Sequence, residues 1–388
     1  MNNQPVDLIA KTFFGLEKVL ADELTAIGAD NVKISNRAVT FSGNKEILYK
    51  ANFHLRTAIS ILQPIKTFKA SNEEELYSQV QKIDWSNYFS LKQTFAIEPT
   101  VYSPIFKHAQ YASLKTKDAI VDQFREKTGK RPFVDPETPD VLINLHISDT
   151  TCTLSLNSSG EPLFKRGYRS ATQEAPLNEV LAAGLILLSE WNPKDNFIDL
   201  MCGSGTLVIE AALIANKIPP GIFRRSFGFE KWPDFDNELF NKISSEDEGE
   251  KVDTGKLGKI IGVDISPKAI SIARNNIKNA SLHNSIELDI CDFNEYKPTV
   301  DSGMILTNPP YGERLKKDDI NLFYEELGNT FKKQFRNFDA WIISANIEAI
   351  KSIGLHASKK IKLKNASLEC SFNKYEIYEG SKKKKFEK

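Results

Sequence analysis

Cysteine is scarce: Cys152, Cys202, Cys291 and Cys370 are the four in 388 residues, and none forms a C-x-x-C pair. That spacing offers neither a recognisable metal site nor a disulfide framework, so no metal is expected and a reducing compartment is. No apolar run reaches the roughly 18 residues of a membrane-spanning helix. The opening Met-Asn-Asn-Gln-Pro-Val-Asp has no basic stretch followed by an apolar one, so no signal peptide is read, and a cytoplasmic, membrane-free protein is expected. Net charge is absent too, since Lys plus Arg and Asp plus Glu both total 51. Bulk electrostatics therefore carries no nucleic-acid signal.

What is present centres on Phe197-Ile-Asp-Leu-Met-Cys-Gly-Ser-Gly-Thr-Leu-Val-Ile-Glu-Ala-Ala-Leu213. It reads as a short apolar strand, a glycine turn and a helix starting near Thr206, an edge suited to a nucleoside. Gly203 and Gly205 flank Ser204, so the backbone can turn sharply and approach a ligand closely. A dinucleotide fingerprint needs a further glycine where Val208 stands, and a phosphate loop needs a lysine that does not follow Gly205. With Asp199 ahead of the turn and no provision for pyrophosphate, a cationic, phosphate-free nucleoside fits best. A plain strand-to-helix turn is the alternative.

About a hundred residues on, Met304-Ile-Leu-Thr-Asn-Pro-Pro-Tyr311 ends an apolar strand in Asn308. Pro309 and Pro310 fix the backbone there. The Asn308 side-chain oxygen and the Pro309 carbonyl can accept from one exocyclic NH2, and Tyr311 offers a face for a base. Between these stretches, Lys259-Ile-Ile-Gly-Val-Asp264 reads as a strand ending in a carboxylate suited to two ribose hydroxyls. Asp264 lies 59 residues past Gly205, beyond the usual ~20 of a dinucleotide site. An insertion, Lys217 to Gly258, accounts for the excess. After the next strand, Asp292 suits the adenine amine with Phe293 against the ring; a turn-capping acid is the other reading.

Asp199-x-x-Cys-Gly-Ser-Gly-Thr206 together with Asn308-Pro-Pro-Tyr311 resembles the class I S-adenosylmethionine-dependent amino-methyltransferases. The likeness is closer still to the THUMP-containing RNA guanine-N2 methyltransferases. Gly167-Tyr-Arg169, Ala175-Pro-Leu177, Pro220-Gly-Ile-Phe-Arg224, Phe227-Gly-Phe-Glu-Lys-Trp232 and Ser367-Leu-Glu-Cys370 extend it over nearly the whole chain. The resemblance implies an α/β protein: an N-terminal ferredoxin-like unit (1–55), a THUMP α/β module (56–157) and a linker (158–174). A Rossmann-like, seven-stranded class I methyltransferase sheet (175–380) and a basic tail (381–388) would follow. It implies S-adenosylmethionine as cofactor, held by Asp199, Cys202, Gly203, Ser204, Gly205, Thr206, Asp264, Ile265, Asp292, Phe293, Asn308, Pro176 and Leu177. Asn308, Pro309, Pro310 and Tyr311 would be catalytic, and Tyr168 and Arg169 would lie at the pocket rim.

The N-terminal pattern also stands on residues. Apolar positions Leu16, Val19, Leu20, Leu24 and Ile27 recur at helical spacing, and the β-α-β-β-α order that follows suggests a ferredoxin-like unit. Tyr111 to Thr128 reads as an amphipathic helix, and Val101 to Arg131 holds 7 basic against 3 acidic residues. Lys115, Lys117, Arg125, Arg169 and Arg224 are the candidate RNA contacts, a solvated basic face being the alternative. The first half of the insertion is aromatic, able to flank a target base or to pack. Its second half, Ile243 to Gly255, reads as a polar loop. Near the C-terminus, Ile361 to Leu363, Ser367 to Cys370 and Asn373 to Tyr378 read as strands. Some family members carry a second methyltransferase half; this sequence stops after the first, so one activity is expected. The expected reaction is methyl transfer to guanine N2 in RNA, most readily large-subunit (23S) ribosomal RNA. A tRNA guanine-N2 methyltransferase, an adenine-N6 DNA methyltransferase and a non-catalytic RNA-binding assembly factor are the alternatives.

Overall fold

The computed structural model describes residues 4–169, 176–246, 252–310, 317–365 and 368–378. They form two compact units between which the chain alternates. Unit 1 takes Met1–Thr12, Leu20–Leu163 and Arg224–Glu246; unit 2 takes Phe13–Val19, Phe164–Phe223 and Asp247–Lys388. No described helix is long and apolar enough to cross a membrane. Among the described residues, no group of three or more His, Cys, Asp or Glu is placed to hold a metal.

The chain opens with β1 (Val6–Lys11), α1 (Glu17–Ala26), β2 (Asp30–Ser35), β3 (Ala38–Gly43), α2 (Lys45–His54) and β4 (Ser60–Lys69). The order β2-β3-β1-β4 is that of a ferredoxin-like sheet, and β4 supplies its fourth strand. Next come α3 (Glu73–Gln81), β5 (Thr94–Tyr102), α4 (Ala109–Thr128), β6 (Phe133–Val134), β7 (Val141–Ser148) and β8 (Thr151–Asn157). Because β4 also pairs with β8, all eight strands make one sheet, β2-β3-β1-β4-β8-β7-β5-β6. Helix starts follow side-chain caps: Asn44 accepts from Ile47 N–H and Asn72 from Glu75 N–H, and three glutamates open α3. Ser158 and Ser159, the first residues of the expected linker, are wholly buried, and both bond to Asn52.

Unit 2 is built on α5 (Glu179–Leu188), β9 (Phe197–Asp199) and α6 (Thr206–Ala215). Helix α7 (Asn237–Glu246) belongs to unit 1. Then follow β10 (Ile260–Asp264), α8 (Pro267–Asn279), β11 (Glu287–Ile290), β12 (Gly303–Thr307), α9 (Lys317–Gln334), β13 (Phe338–Ser344), β14 (Lys359–Asn365) and β15 (Leu368–Glu376). The sheet runs β11-β10-β9-β12-β13-β15-β14, parallel through β13, with β15 antiparallel to both its neighbours. This is the expected seven-stranded sheet, closed by an antiparallel pair. Helices α5 and α6 are apolar nearly all round and buried, as helices packed on a sheet and on each other must be.

Two expectations change. The separate strands over Ser367–Cys370 and Asn373–Tyr378 are one strand, β15, paired continuously with β13 and β14; Ser367 lies outside the described residues. The polar loop expected from Ile243 begins instead as the last turn of α7. There Ile243 is 1% exposed in the core of unit 1, where burial outweighs the polarity of its neighbours.

Candidate active site

Strand β9 delivers Asp199 to the C-terminal edge of the sheet, where open α/β folds bind ligands. Its carboxylate accepts from Thr307 Oγ1 at 2.8 Å and from the Met201 amide at 3.2 Å. Burial outweighs those bonds and, helped by the Asp264 charge, raises the carboxyl to about 7 from an ordinary 3.8. Cys202 is buried beside it, and burial lifts its thiol well above the usual range. A protonated, enclosed thiol makes no nucleophile.

The glycines in the turn do different work. Gly203 has a φ of 52° and nothing within 4 Å of where a Cβ would stand, so its bare side faces open space. Its N–H donates to Asp264 Oδ2 at 2.8 Å. Gly205 starts α6 at a φ of 84°, and a Cβ there would come within 3.2 Å of Ala273 Cβ on α8. From the same helix the fully buried Asn276 donates through Nδ2 to the Ser204 carbonyl at 3.0 Å. The turn is thus held from behind, and its open side is left bare.

Asp264 ends β10 with Oδ1 accepting from Ser266 N–H at 2.9 Å, while Ser266 in turn caps α8. Each carboxylate oxygen is oriented by one backbone N–H and retains a lone pair. Asp292 Oδ1 accepts from the Asn294 amide at 2.9 Å, so Asp292 organises a turn and also faces the cavity. The Phe293 ring meets Phe323 of α9 edge-on at 5.3 Å. Asn308 follows β12 directly, and its Oδ1 is buried without a hydrogen-bond partner among the described residues. A buried acceptor left unmade costs about 1–3 kcal/mol; a donor arriving in the cavity would relieve it.

One cavity of about 950 Å³, wholly in unit 2, collects these groups. Of the expected cofactor residues, Pro176, Leu177, Asp199, Cys202, Gly203, Ser204, Thr206, Asp264, Ile265, Asp292, Phe293 and Asn308 line it, and Gly205 does not. Pro309 and Pro310 join them from the expected catalytic set; Tyr311 lies outside the described residues. Asn276, Phe323 and Asn365 escaped the sequence reading, and Leu368 was named only within the Ser367-Leu-Glu-Cys370 match. Phe323, Asn365 and Leu368 line the cavity, from α9 and from the ends of β14 and β15. No local motif gives any of them a role in the cavity, because each reaches the site through tertiary packing.

Residues 166–374 match a family model described as RMKL-like, methyltransferase domain; 70–157 match a THUMP domain and 7–62 an RlmL ferredoxin-like domain. The chain belongs to the RMKL-like methyltransferase family. One relative, from Synechocystis sp. and named "Putative RNA methyltransferase", is 38% identical over 94% of this chain and 95% of its own. The ribosomal RNA large subunit methyltransferase K/L of Shewanella frigidimarina is 39% identical over 95% of this chain and 52% of its own. The chain therefore spans about half the length of such K/L relatives. A crystal structure described as "a putative methyltransferase complexed with SAH" superposes with a TM-score of 0.86 at 31% identity, covering 97% of this chain and 100% of that one.

In this RMKL-like methyltransferase the expected rim and RNA residues all have partners within the protein. Tyr168 is 1% exposed, and its hydroxyl donates to Glu210 Oε1 at 3.1 Å. Arg169, expected at the rim and as an RNA contact, has its guanidinium held inside unit 2 by Glu179, Ser204 and Thr206. Arg224 donates to the carbonyls of Ser159, Glu161 and Pro162 and stacks over Phe227, so it holds unit 1 together. Phe227, Phe229 and Trp232 are core residues of unit 1, with Phe229 stacked on Tyr49 of α2 at 4.3 Å. On α4, Lys115 pairs with Glu74 at 2.6 Å, Lys117 with Asp118 at 2.5 Å and Arg125 with Asp122 at 2.8 Å. That helix presents a charge-balanced face, and exposed pairs of this kind are worth at most about 1 kcal/mol, so a phosphate can compete for them.

Proposed function

We propose that this chain transfers a methyl group from S-adenosylmethionine to the exocyclic N2 of a guanine in RNA, with large-subunit ribosomal RNA as substrate. The observation that carries the reading is the orphaned Asn308 Oδ1. Among the described residues it is an unsatisfied acceptor, in the same cavity as the bare glycine turn and the carboxylates of Asp199, Asp264 and Asp292. The cavity fits the cofactor by volume and by chemistry: acceptors for hydroxyls and an amine, apolar surface at Ile265 and Phe293, and an open backbone at Gly203.

When bound, the cofactor supplies a methyl group on a cationic sulfur, and the protein supplies position and electrostatics. In this reading Asp264 accepts from the ribose hydroxyls, Asp292 from the adenine amine, and Ile265 and Phe293 cover the ring. Asp199 and the glycine turn hold the amino-acid end. Asn308 Oδ1 and the Pro309 carbonyl accept both protons of the substrate NH2, turning its lone pair toward the methyl group. Such alignment can lower a barrier by about 7–11 kcal/mol. The amine loses its proton after transfer, so no buried base is required, and the protonated Cys202 takes no part. Lys115, Lys117 and Arg125 exchange their surface partners for RNA phosphates.

Preference for guanine and for ribosomal RNA draws support from the family resemblance and the K/L relatives, since Asn-Pro-Pro suits either purine amine. Nucleoside mass spectrometry of ribosomal and transfer RNA from cells lacking the gene tests it. Loss of one N2-methylguanine from large-subunit RNA is expected. Loss from tRNA instead would move the substrate, and loss of N6-methyladenine would overturn the choice of base.

A further inference from the structure

Arg169 occupies an unusual position. Its side chain is 13% exposed, and its single planar fork meets two segments of unit 2, 177–179 and 204–206. Nε donates to Glu179 Oε1 at 2.8 Å, in the first turn of α5. Nη1 donates to Ser204 Oγ and Nη2 to Thr206 Oγ1, both at 3.1 Å, on either side of Gly205. Nη2 also reaches the Leu177 carbonyl at 3.4 Å. Ser204, Thr206 and Leu177 all line the cavity, as does Asn178, which caps α5 through its side chain. Asn276, on the Ser204 carbonyl, and Asp264, accepting from Gly203 N–H, anchor the turn from its other side.

We infer that Arg169 is a positioning residue that sets the spacing between the glycine turn and the 177–178 wall of the cavity, and through it the affinity for the cofactor. The inference rests on the cofactor reading given above and assigns Arg169 no contact with the ligand. Geometry distinguishes this role from simple charge compensation. Glu179 is buried, and burial raises its carboxyl above the ordinary range, with Arg169 as the cation opposing that shift. Any cation at residue 169 meets that electrostatic need. Only a planar fork with fixed N–H directions can hold a carboxylate and two hydroxyls of the turn together; a lysine ammonium is a point charge on a flexible stem. Gly205 makes such a brace necessary, because a left-handed glycine at a helix start has no side chain of its own to fix the turn.

The test compares wild type, R169K and R169A by calorimetric titration with SAH, by thermal melting, and by KM and kcat for S-adenosylmethionine at saturating RNA. R169K, which retains the charge opposite Glu179, is expected to melt close to wild type yet bind SAH about tenfold more weakly. Its KM should rise in step, with kcat within about threefold. R169A is expected to lose both affinity and thermal stability. A folded R169K that binds SAH like wild type would overturn the positioning role, since charge alone would then suffice. A folded wild type that binds no SAH would overturn the cofactor reading and this inference with it.

Discussion

Asn308 and Asp199 carry the sharpest expectations at the scale of single residues. Replacing Asn308 with Ala removes the acceptor that orients the substrate amine. Turnover should fall by about 10²-fold or more, by analogy with the loss of one preorganised polar group. SAH affinity, measured by calorimetry, should stay within a few-fold; a large loss would make Asn308 a structural residue. Asp199 predicts a pH effect. Burial raises its carboxyl to about 7 from 3.8, so the folded protein holds this proton more tightly than the unfolded chain does. Its contribution to stability is full below about pH 4 and is lost as pH climbs through 7. In chemical denaturation of the cofactor-free protein, Asp199→Asn should flatten the fall in stability across that window. Binding of a cationic cofactor should strengthen over the same range as the carboxylate ionises. Asp199, Gly203, Asp264 and Asn308 were legible because each sits in a short motif whose backbone demands are local. Asn276 was not, and of Arg169 only a place at the rim was: they meet the turn from 72 and 35 residues away, and those bonds are set by tertiary packing.

At the scale of elements, caps and periodicity made most helices and strands readable. Ser266 and Pro267 open α8, and Asn72 opens α3, where their side chains or ring geometry require. The insertion was harder, because a run of Phe and Trp states that it will be buried without saying against what. The aromatics pack with α2: Phe227 and Phe229 stack at 5.3 Å with an interplanar angle of 7°, and Phe240 of α7 meets both edge-on. Phe229→Ala should therefore destabilise unit 1 by about 3–5 kcal/mol, the usual cost of emptying a buried aromatic site. SAH binding in unit 2 should be retained. An unchanged unfolding profile would show that the aromatics are dispensable packing.

For the whole molecule, the two units interleave along the sequence. Cutting away residues 1–155 alone would strip the partners from Phe227, Phe229 and Phe240 and leave a large apolar surface bare. That truncation should aggregate in size-exclusion chromatography. Removing 224–246 as well while retaining Phe13–Val19 of unit 2, with short flexible bridges, should restore a soluble species that still binds SAH and no longer methylates long RNA. If the first truncation stayed monodisperse, the assignment of 224–246 to unit 1 would be wrong. The fold class and the order of modules were readable from motifs spread over the chain. The interleaving was not, because it is decided by which sheet offers the aromatic segment a home.

The alternation also bears on synthesis. As the chain emerges from the ribosome, the eight-stranded sheet is spelled out by residue 157, yet the aromatic wedge that completes its core arrives only after β9 and α6 have appeared. Neither half can be finished before the other is begun, and a nascent chain stalled near residue 220 should remain a ready client for chaperones.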